Sequence, residues 1–395
     1  MTVEDRDAVL GEIESDLTRQ FGGGAAISPL STPNRMGRRV DGIDLSDPLS
    51  PAQARLLVTL LDRYQILCFP GQDRHGFDVH DLERITNHFG APIPHPKNYA
   101  NYGSGEALEL LPVERRASTL NNVSFPGVFE CLPGADSPAV YIVSNVPGGG
   151  PDADPMIVGG QHWHTDIEFE PVPLSTSMFY VHRVPTTRDA PGGAWVTNPP
   201  RDTGFYHPDS PTDLAERREM LPLNGETAYA DTAAAYAALP ADERHQLDAT
   251  MVRRRLRRSD AGWLVPLVHT NSRSGTKSLH SPVWASRGKR IAPVEVDGLG
   301  EDESRRFLDR LEAHCLRPEF RYDHVHTPGD VTIWSNFATL HVAPPVKQSI
   351  NDPADARVMY RMSCKGNPSY KLPRHDPQTW IDDNIAPPYR APLTE

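Results

Sequence analysis

Cysteine is scarce: only Cys68, Cys131, Cys315 and Cys364 occur in 395 residues. They are scattered and show no paired metal-site spacing. A reduced, cytoplasmic protein is the expectation. No stretch approaches the roughly 20 apolar residues of a membrane-spanning helix. The N-terminal Met1-Thr2-Val3-Glu4-Asp5-Arg6-Asp7 is acidic and lacks a hydrophobic signal segment. Internal repeats are absent. Positive charge is also in deficit, with 40 Lys and Arg against 52 Asp and Glu, a formal charge of −12. The densest basic run, Arg253-Arg254-Arg255-Leu256-Arg257-Arg258, reads as a solvated helix end, where cations suit the macrodipole. Nucleic-acid binding is therefore not expected.

What the chain does have is 39 prolines and 29 glycines, which imply many turns and loops. One large β-rich domain spanning 1–395 with long excursions is expected. Residues 3–21 read as an amphipathic helix stopped by Gly22-Gly23-Gly24. Ser50 caps a second helix running to about Arg63, with Pro51 in its first turn. Gln65 to Phe69 reads as a buried strand, and about Asp78 to Phe89 as a helix. Strands are expected at 139–143, 177–184, 264–269, 277–280, 331–334 and 357–363. Helices are expected at 233–239, 240–254 and 301–315. Segments 97–160, with its Pro- and Gly-rich loop at 147–155, and 186–223 read as insertions. The class is mainly β with flanking helices, a sandwich or barrel.

The chemistry concentrates in His164-Thr165-Asp166, answered much later by His341 and Arg357. On a strand, residues i and i+2 face the same side, so His164 and Asp166 can reach one ion. Two imidazoles and a carboxylate leave open positions on a metal, which suits non-haem Fe(II) oxygen chemistry. An arginine after the second histidine would serve an acidic co-substrate. The chain has 16 histidines, so decoys exist. His162 and the pair in His324-Val325-His326 are among them.

Several segments resemble the taurine / 2,4-dichlorophenoxyacetate dioxygenase family of Fe(II)- and 2-oxoglutarate-dependent oxygenases. They are Gly42-Ile43-Asp44-Leu45-Ser46, Tyr64 to Gln72, Phe89-Gly90, Trp163-His164-Thr165-Asp166 with Phe169 and Pro173, Gly225 to Asp231 with Ala235, Tyr236 and Leu239, Gly329 to Asn336 through His341, and Arg357 to Arg361. Together they span about 40–366, leaving 367–395 as a C-terminal extension. The resemblance implies a double-stranded β-helix (jelly-roll, cupin-like) core. It implies His164, Asp166 and His341 as iron ligands, with 2-oxoglutarate and O2 as co-substrates. Thr227 matches a hydroxyl that bonds a 2-oxoglutarate carboxylate, and Arg357 the arginine that holds the distal one. Arg361 matches a second arginine near the co-substrate or the substrate's acidic group. His95, in Pro94-His95-Pro96, matches a substrate-contacting histidine. The charges of Fe(II), Asp166, 2-oxoglutarate and Arg357 sum to zero, which suits burial.

Two spacings exceed the family pattern: His164 to Thr227 is 63 positions and His341 to Arg357 is 16. The second leaves the choice between Arg357 and Arg361 open. The insertions are expected to shape a pocket for a substrate unlike taurine, either anionic or a larger natural-product scaffold. Because Asp166 is a carboxylate where related halogenases carry a small residue, hydroxylation, desaturation or cyclisation is favoured over chlorination. The expected activity is oxidation of an unactivated C–H bond of a small molecule, releasing succinate and CO2; family members often self-associate, which the resemblance extends to this chain as a homo-oligomer expectation. The alternatives are a metal-dependent hydrolase, since the same ligands suit zinc, and a non-catalytic 2-oxoacid-binding protein.

Overall fold

The computed structural model describes residues 6–31, 36–101, 106, 108–116, 120, 125–146, 156–159, 162–170, 173–200, 206–286 and 291–365. The loop at 147–155 and the extension 367–395 lie outside these residues. Eleven strands matter for the site: β1 (Ala26–Pro29), β2 (Arg38–Asp41), β3 (Ile66–Phe69), β4 (Ala91–Pro92), β5 (Tyr141–Ser144), β6 (Thr176–Arg183), β7 (Thr227–Asp231), β8 (Arg321–His324), β9 (Val331–Ser335), β10 (Thr339–Val342) and β11 (Val358–Lys365). The larger sheet runs β1-β2-β3-β9-β6-β11-β4, with β5 also pairing β11. All its pairs are antiparallel except β2 with β3. A smaller antiparallel sheet has the order β8-β7-β10.

Three helices cover one face of the large sheet: α1 (Leu10–Phe21), α2 (Pro51–Tyr64) and α3 (Val79–Phe89). Helix α2 begins where Ser50 Oγ accepts from Gln53 N and Gln53 Oε1 accepts from Ser50 N, a capping box reinforced by Pro51. Its Leu57, Leu60 and Leu61 join Leu67, Phe69, Ile85 and Ile333 in the main core. A second core joins the small sheet to helices Thr232–Ala237 and Glu301–Cys315, through Ala228, Ala230, Leu340, Leu308 and Leu311. Between them lies a layer of Ile66, Phe179, Val181, Tyr229, Trp334 and Met359. That layer backs the site.

Two sequence expectations need correction here, and the second carries the reading of the basic run with it. Helix α1 starts at Leu10, because residues 6–9 form turns rather than helix. The helix expected over 240–254 ends at Asp248, and Met251–Arg254 is a strand paired with Trp263–Pro266. The basic run is thus no solvated helix end. Alternate residues of that strand face inward, and Arg254 is 1% exposed, its Nη2 donating to the carbonyls of His280 and Ser281 at 2.6 and 3.0 Å. Segment 186–223, read as an insertion, contains a helix at Thr212–Glu219 whose Arg218 forms a buried ion pair with Glu312.

Candidate active site

His341 sits in β10 directly opposite Tyr229 of β7. It also forms an isolated antiparallel bridge with His164. His164 N donates to His341 O at 3.0 Å, and His341 N donates to His164 O at 2.9 Å. This closed pair of backbone bonds brings the two imidazoles side by side, with ring centroids 4.4 Å apart. The local structure differs from the regular strand expected around His164: there is one bridge, and a turn begins at Asp166. Asp166 nonetheless returns to the same side as His164.

His164 Nδ1 lies 2.9 Å from the His162 carbonyl. A carbonyl only accepts, so the proton belongs on Nδ1 and the lone pair on Nε2. His162, set aside as a decoy, thus supplies through its main chain the contact that orients the His164 ring. Asp166 is 1% exposed, and its Oδ1 lies 3.9 Å from His164 Nε2 and 3.5 Å from His341 Nε2. One ligand atom from each of the three residues falls within 4.8 Å of the others. Asp166 Oδ2 accepts from Ser177 Oγ at 2.9 Å and pairs with Arg361 Nη2 at 2.5 Å. Burial alone would raise the Asp166 carboxyl, but Arg361 and the two imidazoles hold it well below the usual carboxylate range.

Ser177 has one proton, and Asp166 receives it. Asn336 Nδ2, at 2.9 Å, therefore donates to Ser177 Oγ, and the Ser363 hydroxyl, at 2.8 Å, does the same. Ser177 and Ser363 are register partners across β6 and β11, which the sequence could not reveal.

Thr227 and Arg357 belong to a second cluster beyond Tyr229. Thr227 Oγ1 lies 2.8 Å from His326 Nε2. Thr227 and Tyr229 are two residues apart on β7 and so share a face. Arg357 is 6% exposed, and among the described residues its Nε has no hydrogen-bond partner. Burial pushes the Arg357 guanidinium down to about 10, with Tyr229 opposing and Arg188 reinforcing the shift. Sequence reading set His326 aside and did not single out Arg188, Ser177 or Ser363. No motif or spacing marks them; tertiary pairing does.

His95 lies on the opposite side. It shares a cavity of about 60 Å³ with Asp166, Arg361, Ile93, Ile167 and Leu174. Its ring stacks on Tyr141 with centroids 4.1 Å apart, and Lys97 Nζ reaches the Tyr141 hydroxyl at 3.3 Å. The structure thus brings Asp166, Arg361 and His95 to one cavity and His164 and His341 to Asp166, while Thr227 contacts His326 and Arg357 feels Tyr229 and Arg188.

His164, Asp166 and His341 thus form a compact group of two imidazoles and a carboxylate that could hold one metal ion, with the buried Arg357 elsewhere in the same fold. The chain belongs to the family described as "Taurine catabolism dioxygenase TauD, TfdA family", whose model matches residues 26–363. Pentalenolactone F synthase of Streptomyces arenae is 31% identical over 161 residues, covering 34% of this chain and 50% of that protein. The alpha-ketoglutarate-dependent 2,4-dichlorophenoxyacetate dioxygenase of Cupriavidus pinatubonensis is 28% identical over 158 residues, covering 35% of this chain and 52% of that protein. The match thus spans about half the length of these two relatives. Among solved structures, a taurine dioxygenase from Burkholderia xenovorans superposes with TM-score 0.53 at 21% identity, covering 87% of this chain and 92% of that one. AAD-2 in complex with Mn(II) and N-oxalylglycine gives 0.52 at 20% identity, covering 87% and 98%. These likenesses show the fold: mixed sheets with flanking helices.

Proposed function

We propose that this protein is an Fe(II)/2-oxoglutarate-dependent dioxygenase that oxidises an unactivated C–H bond of a small molecule. The observation that carries this is the convergence of His164, Asp166 and His341 within 4.8 Å in a chain of this family. The residues fit the group. His164 Nε2 has its lone pair directed by the His162 contact, and Asp166 is held ionised by Arg361. These three residues would hold the iron. When bound, iron with 2-oxoglutarate and O2 supplies the oxidation, and succinate and CO2 are the co-products.

The chain's own part is position and charge. Arg357 offers a buried, flat, cationic fork for the far carboxylate of 2-oxoglutarate, and Thr227 offers a hydroxyl beside it. This assigns the co-substrate to Arg357 and leaves Arg361, on the cavity side of Asp166, for the substrate's acidic group. His95 serves the same group from the opposite wall. Ile93, Ile167 and Leu174 exclude water and favour an apolar body. An anionic small molecule with a hydrophobic skeleton fits this lining, in keeping with relatives named for pentalenolactone and for phenoxyacetate chemistry. The same reading makes the two sheets a double-stranded β-helix within one catalytic domain. A cytoplasmic setting is supported by four free thiols, three of them buried. No described helix is long and apolar enough to cross a membrane.

The test is anaerobic. Adding Fe(II) and 2-oxoglutarate to the apo-protein should produce the weak visible charge-transfer band of a metal-bound 2-oxo acid. Asp166→Ala should abolish it and Arg357→Ala should weaken it. Absence of the band in folded, metal-loaded wild-type protein would overturn the reading.

A further inference from the structure

We propose that His326 is a positioning residue for the co-substrate pocket: it orients the Thr227 hydroxyl so that its proton points to the far carboxylate of the 2-oxo acid, and Arg188 fixes the His326 main chain. This rests on the oxygenase reading above. His326 is fully buried, and its Nε2 lies 2.8 Å from Thr227 Oγ1. Arg188 Nη2 donates to the His326 carbonyl at 2.9 Å. Phe179 packs edge-on against the imidazole, with centroids 6.1 Å apart, and limits how the ring can turn.

The direction of the Thr227–His326 bond follows from chemistry. A carboxylate only accepts hydrogen bonds. Thr227 must therefore donate to it, and its oxygen must accept from His326 Nε2–H. If the proton ran the other way, Thr227 would turn a lone pair toward the anion. With the proton on Nε2, Nδ1 carries the lone pair, and among the described residues Nδ1 has no hydrogen-bond partner. Burial first, then His324, Arg357 and Arg188, hold this imidazole well below its usual range. The ring thus adds a directed donor without adding a third positive charge between two guanidiniums. Segment 186–223 accordingly reaches the co-substrate side of the site through Arg188.

The experiment titrates two probes into anaerobic, Fe(II)-loaded protein: 2-oxoglutarate, and pyruvate, which has the same 2-oxo acid group but no far carboxylate. His326→Phe keeps a ring and removes the donor. It should weaken 2-oxoglutarate about tenfold and leave pyruvate within about twofold. Combining it with Thr227→Val should weaken 2-oxoglutarate no further than Thr227→Val alone, because both act on one hydrogen bond. His326→Gln, which retains an N–H donor, should recover most of the affinity. Equal weakening of the two acids, or multiplied losses in the double variant, would overturn the proposal and leave His326 a packing residue. Should His326→Phe fold poorly, Arg188→Ala carries the test: a loss of about threefold for 2-oxoglutarate alone supports the proposal, and equal losses for both acids overturn it. Failure of wild-type protein to bind either acid would instead overturn the oxygenase reading and, with it, this one.

Discussion

Ser177→Ala should weaken metal binding although Ser177 is no ligand. Its hydroxyl donates to Asp166 Oδ2 at 2.9 Å and accepts from Asn336 Nδ2 at 2.9 Å. Alanine removes the donor and strands a buried Asn336 N–H and the Ser363 hydroxyl. Partners of this kind, one step behind a ligand, contribute about 10- to 100-fold in metal affinity. Arg361 still holds Oδ2, so the lower end applies: about tenfold, or about 1.4 kcal/mol. Competition between the protein and a chelator for Mn(II), which avoids oxidation, would measure it. Ser363→Ala acts on the carboxylate only through Ser177 and should cost about threefold or less. An unchanged Mn(II) affinity in a Ser177→Ala protein that melts normally would refute the idea that this hydroxyl chain orients Asp166.

Arg357→Lys should fail to rescue Arg357→Ala in 2-oxoglutarate binding, with both at least about tenfold weaker than wild type by the charge-transfer titration, because a point charge does not reproduce the fork. His269, stacked on Phe337 with centroids 3.8 Å apart, is lowered to about 4 by burial and then by Arg273. Its folded value lies below its unfolded one, so its contribution to stability is complete above about 6.5 and is lost as pH falls toward about 4. Melting temperature should therefore fall between pH 7 and 5, and His269→Phe should fall less. Gly42→Ala should destabilise by on the order of 2–3 kcal/mol in a denaturant titration. Its φ is +73° and an added Cβ would lie 2.0 Å from the Gly24 carbonyl oxygen.

The cluster of His164, Asp166 and His341 was legible because its residue types are written locally. His164 and Asp166 are neighbours in sequence, and His341 closes an apolar strand motif. Helices α2 and α3 were legible from Ser50, Pro51 and Asp78, whose capping acts within three residues. Arg254 was misread because a run of arginines looks solvated in sequence, while strand pairing with Trp263–Pro266 and the carbonyls of His280 and Ser281 bury it. Sequence also could not separate Arg357 from Arg361, four positions apart on one segment. In the structure their surroundings differ: Arg361 pairs with Asp166, while Arg357 interacts electrostatically with Tyr229 and His326. Ser177, His326 and Arg188 were beyond reach because Ser363, Thr227 and His326, which they contact, lie 186, 99 and 138 positions away in the chain.

The divided engagement of Asp166 bears on denticity. Oδ2 is already held by Ser177 and Arg361, and only Oδ1 faces the imidazoles. A carboxylate fastened at one oxygen grips an ion with the other alone. A six-coordinate ion held by His164, Asp166 and His341 would then take three donor atoms from the protein rather than four and would keep three positions for other ligands. A two-pronged acid would fill two of them and leave one for a small ligand. On the proposed reading, the hydrogen bonds behind Asp166 would act as a stop that keeps the protein from closing over its own reaction centre.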